Sequence, residues 1–188
     1  MKKRILAAVL IMVFALASVM GVSAAGSKDG QVTVTEQSKQ GYIIRTGSQQ
    51  FMDDQGTEDT SDDVFVPNKS EIQKYNAEEL ALDKLLKDAP TVLKELKGKK
   101  DLTKIFDLHD VNGGAVGADG KHRVTINVPA LSANCKDVKV LHYSMETEAW
   151  EILKESTVDL AKKQVTIVSD DLSPIAIFAT VSGGSGSG

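Results

Sequence analysis

Between residues 104 and 178 the chain carries six short runs dense in β-branched and aromatic residues, and their spacing leaves few folds open. The runs cover 104–108, 123–128, 138–143, 150–153, 164–168 and 175–178. Asn112-Gly113-Gly114, Asp119-Gly120, Pro129 and Asp170-Asp171 punctuate them with turn chemistry. Branched and aromatic side chains pack well on a pleated surface, while these punctuating residues relieve the bends between strands. Six antiparallel strands at this spacing predict a β-sandwich over 101–181.

The stretch before residue 101 reads differently. Short strands are expected at 32–34, 42–44 and 64–66, the last closed by Pro67. Asn76 with Glu79 three residues later has the spacing of a capping box, and Leu82, Leu85, Leu86 and Ala89 then share one helical face. Pro90 ends or kinks that helix near Asp88 and suits the first turn of a second one carrying Val92, Leu93 and Leu96, with Gly98 as its stop. The expected fold class is therefore mainly β, α+β as a whole: an antiparallel sandwich preceded by a short two-helix segment. The domain reading is 26–100 for the strands, acidic loop and helices, 101–181 for the sandwich, and 182–188 for a Gly/Ser linker.

Residues 1–25 have the three parts of a secretory signal peptide. Lys2, Lys3 and Arg4 give a basic start, an apolar run follows to Val19, and Ser23-Ala24-Ala25 offers small residues for cleavage. The mature protein is thus expected to be extracellular, with no membrane contact after cleavage. The whole chain has 22 basic and 26 acidic residues; loss of the three leader cations leaves 19 against 26, a net charge of −7. That balance opposes nucleic acid, whose phosphates need a basic face. Cys135 is the single cysteine, so no internal disulfide can form and the core alone must hold the fold. The expected role of Cys135 is a small half-buried apolar residue rather than a reactive thiol.

Phe106-Asp107-Leu108, Val111 to Gly114, and Asp119 to Thr125 open an ordered pattern that continues through Val138 to Tyr143 and Trp150-Glu151. Asp171-Leu172-Ser173-Pro174-Ile175-Ala176 closes it. This series resembles an uncharacterised β-module of secreted and surface proteins from clostridia-like Gram-positive bacteria. The resemblance implies a location and an architecture, and names no reaction. Asp171-Leu172-Ser173 is also faintly similar to the cleavage step of autoproteolytic surface domains. Asp stands here where a His is expected, and Ser173-Pro174 is read instead as the start of an edge strand.

Candidate chemistry is sparse. Asp53, Asp54, Glu58, Asp59, Asp62 and Asp63 place six carboxylates in eleven residues, enough oxygen ligands for weak extracellular calcium, although the spacing is not that of an EF-hand. A solvated acidic loop is the other reading. His109, His122 and His142 fall on different expected strands, without the short spacing of a zinc site. The glycines of 113–120 lack the Gly-Lys-Ser/Thr of a phosphate loop and are read as a long hairpin loop. Lys94, Lys97, Lys99, Lys100 and Lys104 surround the end of the second helix, where cations suit the helix dipole or can dock an acidic polymer. Tyr143 and Trp150 are either sandwich core or a sugar-stacking pair. No catalytic residue is legible. The functional expectation is a non-enzymatic secreted or cell-surface module, structural or adhesive, binding an extracellular glycan or protein. A calcium-stabilised binding domain and a hydrolase whose residues meet only in three dimensions are the alternatives.

Overall fold

The computed structural model describes residues 31–46, 50–53, 64–65, 68–111, 116–172 and 174–182. Their strands are β1 (Thr33–Val34), β2 (Tyr42–Arg45), β3 (Met52–Asp53), β4 (Val64–Phe65), β5 (Lys100–Asp101), β6 (Asp107–Asp110), β7 (His122–Asn127), β8 (Cys135–Ser144), β9 (Ala149–Ile152), β10 (Thr157–Asp159), β11 (Gln164–Ser169) and β12 (Ile175–Val181). The helices are α1 (Lys69–Asn76), α2 (Leu82–Leu85) and α3 (Pro90–Leu96). The fold is mainly β with antiparallel sheets and a few short helices, as the sequence predicts.

Two four-stranded sheets, ordered β1-β7-β11-β10 and β5-β12-β8-β9, carry the architecture. Two-stranded ribbons β2-β6 and β3-β4 accompany them. In the first sheet burial follows the period of two. Val124 and Ile126 of β7 and Val165 and Ile167 of β11 point inward, while their neighbours are partly or fully exposed. The second sheet is covered on both faces. Val140, Ile175 and Ile177 meet the first sheet, whereas Leu141, Tyr143, Ala176 and Phe178 meet Ile72, Leu86 and Leu96 of the helical segment. Layers therefore run sheet, sheet, helices. The unbroken apolar run of β12 suits a strand in the middle layer, and the alternating β7 suits one in an outer layer.

Among the described residues, strand pairing ties the first hundred residues to the later ones in three places. Thr33 and Val34 pair with Asn127 and Ile126, β2 pairs with β6, and Lys100–Asp101 pairs with Ala179 and Phe178. Among the described residues no helix is long and apolar enough to cross a membrane.

Several local expectations need correction. Asn76 does not cap the helix that follows it; it is the last residue of α1. Its side chain accepts from Ile105 N and donates to Ile105 O, both at 2.8 Å, as a neighbouring strand would. The chain turns there because Glu78 takes a left-handed φ of 63°, with Glu79 N bonding Lys74 O at 2.8 Å in a Schellman-type stop. The expected long helix is cut to the single turn of α2, while Pro90 starts α3 as anticipated. The final strand is not an edge. Segment 100–106 lines β12, with Leu102 N on Ile177 O and Phe106 exchanging both backbone bonds with Ile175. Among the described residues β6 pairs with β2, and β7 with β1 and β11, so the long hairpin expected between β6 and β7 is not formed; in the described part of the glycine-rich stretch Val116 bridges His122 around a turn in which Gly120 N bonds Gly117 O at 2.9 Å.

Candidate functional site

An open trough of about 880 Å³ lies at the side of the sandwich. Its position follows from one turn. Residues 35–41 join β1 to β2, and that turn is pinned to β7 by Thr35 N on Thr125 O (3.0 Å) and by Ser38 Oγ, which accepts from Thr125 N (3.1 Å). β1 stays with the first sheet, while β2 leaves it to pair with β6. The trough lies along these two strands and is closed below by Ile105 and Phe106.

Its wall is apolar where Val32, Ile43 and Ile44 line it, and Ile43 remains 42% exposed. Polar groups stand around it: Gln31, Thr33, Thr46, Gln50 and Asn76. Three cations reach the rim. Lys39 pairs with Glu36 at 2.5 Å, Arg45 Nε bonds the buried Asp107 Oδ2 at 3.1 Å, and Lys104 stands beside Ile105. An apolar strip with a polar border and this volume is the common form of a ligand site.

A second ionic arrangement is internal. His142 on β8 is fully buried, with Glu151 of β9 directly opposite in register. Its Nδ1 is 3.0 Å from Glu151 Oε1. Its Nε2 is 3.1 Å from Asp171 Oδ1, at ion-pair distance but out of line for a hydrogen bond. Asp171 Oδ2 accepts from Met145 N at 2.7 Å, which ties the loop before β12 to the turn after β8. Burial by itself would lower the His142 pKa, but attraction to Asp171 and then Glu151 outweighs it and raises the value above 6.5. Burial pushes the Asp171 carboxyl up, and His142 with the backbone amides pulls it below its ordinary value. The two carboxylates sit on opposite ring nitrogens, so they cannot share one metal ion with this histidine.

The backbone of Asp53 pairs with Val64 in the β3-β4 ribbon. Asp54, Glu58, Asp59, Asp62 and Asp63 lie outside the described residues, as do 112–115 of the glycine-rich loop and Ser173 of the Asp-Leu-Ser step. The histidines have separate surroundings. His109 is opposite Ile43, His122 packs edge-on to Tyr42 at 5.9 Å, and His142 is held as above. Among the described residues no three His, Cys, Asp or Glu side chains gather as a metal set.

Tyr143 and Trp150 are core. They meet edge to face at 5.3 Å beneath the helices, and neither offers a face to a sugar. Cys135 is fully buried between the sheets, deeper than expected. The trough itself was not found from sequence, although Tyr42-Ile43-Ile44 held a signal. In a strand, three successive apolar residues must put one of them on the opposite face from the other two. No family model, curated protein or solved structure matches this chain.

Proposed function

We propose that this chain is a non-enzymatic exported module, secreted or displayed at a cell surface, that binds an extracellular protein partner through the trough along β1 and β2. The leader-like residues 1–25 and the resemblance to surface modules of Gram-positive bacteria support the location. The observation that carries the binding role is the 880 Å³ trough with Ile43 exposed on its wall. A peptide segment fits it better than a glycan. Sugars are gripped by exposed aromatic faces, and every Phe, Tyr and Trp whose surroundings are described is buried. The non-enzymatic reading is supported by the use of His142, Asp171 and Asp107 in contacts that hold loops and strands together.

The test is a binding screen of the purified protein against arrayed extracellular proteins, mucins and glycans, read with calcium and with EDTA. The expected outcome is a protein ligand, retained in EDTA, whose affinity drops about tenfold in Ile43→Asp with no change in melting temperature. Glycan-only binding would sink the peptide reading. Loss of binding in EDTA would move the site to the carboxylates of Asp53 to Asp63.

A further inference from the structure

A second hollow, separate from the trough, lies between α2 and α3 and holds about 590 Å³. Its floor is apolar, made by Leu82, Pro90, Leu93 and Leu96. Lys94, Lys97 and Lys99 stand on its rim, with Asp83 the single carboxylate among the lining residues described. Lys99 is already engaged: its side chain is buried and contacts Asp137 and Thr180 Oγ1. Lys94 and Lys97 are exposed, and among the described residues their ammonium groups have no partner. The local charge is against the trend of the chain. Residues 82–104 hold seven lysines and four acids, a net +3, in a protein of net −4.

Two unengaged ammonium groups beside an apolar floor attract an anion, and they favour one that also brings apolar surface to bury. We infer that this hollow docks an acidic peptide segment of a partner protein, with carboxylates on Lys94 and Lys97 and one large apolar side chain on Leu82, Leu93 and Leu96. A purely polar polyanion would use the rim alone and leave the floor wet. Recognition of phosphate is commonly built from arginine forks, and the described rim has lysines only. The inference does not depend on the trough.

Fluorescence anisotropy of the purified protein tests it with three probes: a labelled Glu/Leu peptide, a Glu/Ser peptide of equal charge, and inorganic polyphosphate. The Glu/Leu peptide should bind about tenfold more tightly than the other two and weaken with added salt. The double variant Lys94→Glu/Lys97→Glu should lose about that factor, while Lys162→Glu on the turn between β10 and β11 leaves binding unchanged. Leu93→Ser keeps the charges and should weaken the Glu/Leu peptide alone. Equal affinity for the Glu/Ser peptide or polyphosphate would overturn the proposal, as would binding indifferent to the double variant.

Discussion

Asp107 is wholly buried where β6 begins, and one of its oxygens serves two donors: Arg45 Nε at 3.1 Å and Phe51 N at 2.6 Å. Its other oxygen accepts no hydrogen bond among the described residues. Phe51 is itself held at φ 60°, a conformation that crowds its Cβ against its own backbone, and the bond to Asp107 helps to keep it there. Asp107→Ala breaks an ion pair to a largely buried guanidinium and removes the acceptor of a buried amide together, so a loss of about 3–5 kcal/mol is expected in urea unfolding. Asp107→Asn retains an acceptor for Phe51 and should cost less. His142 makes a prediction of the opposite pH sense from a paired carboxylate. Its folded pKa is raised, so its contribution is complete below 6.5 and is lost as pH climbs through the folded value. Asp171, with a lowered pKa, contributes above 3.8 and loses that contribution as pH falls through its folded value. Melting temperature should therefore decline on the alkaline side in the wild type. His142→Gln should melt lower at neutral pH and lose that alkaline slope.

At the scale of elements, the tight connections carry strain that the sequence does not advertise. Glu148, between β8 and β9, and Lys163, between β10 and β11, both take left-handed conformations, with φ of 51° and 55°. Glu148 is exposed, so Glu148→Gly should stabilise the protein by about 1 kcal/mol through relief of backbone crowding, read as a rise in the urea midpoint. The strands with alternating or continuous apolar residues were legible because burial imposed their pattern directly. β10 was not, since Thr157-Val158-Asp159 is an outer edge with Val158 37% exposed and offers no core-facing run. α1 escaped for a related reason: only Ile72 and Tyr75 of its eight residues are buried, too few to set a helical period. Asn76 misled because the same side chain that can cap a helix can also imitate a peptide group, and which of these it does depends on Ile105, 29 residues away.

For the molecule as a whole, the antiparallel β architecture could be read, but the trough could not. Its lining comes from residues 31–34, 39, 42–46, 50, 76 and 104–106, which meet only after β1 has paired with β7 and β2 with β6. No local pattern records that meeting. The position of β12 has a further consequence. The last strand of the described chain is not laid on the outside; it is the wall shared by both apolar layers, between segment 100–106 and β8. A chain delivered amino end first, from a ribosome or through a membrane pore, cannot close either layer until Ile175–Val181 has arrived. Seven residues late in the described chain therefore complete the packing of both layers. A copy that stops short of them is left with two open apolar faces and no means of sealing either.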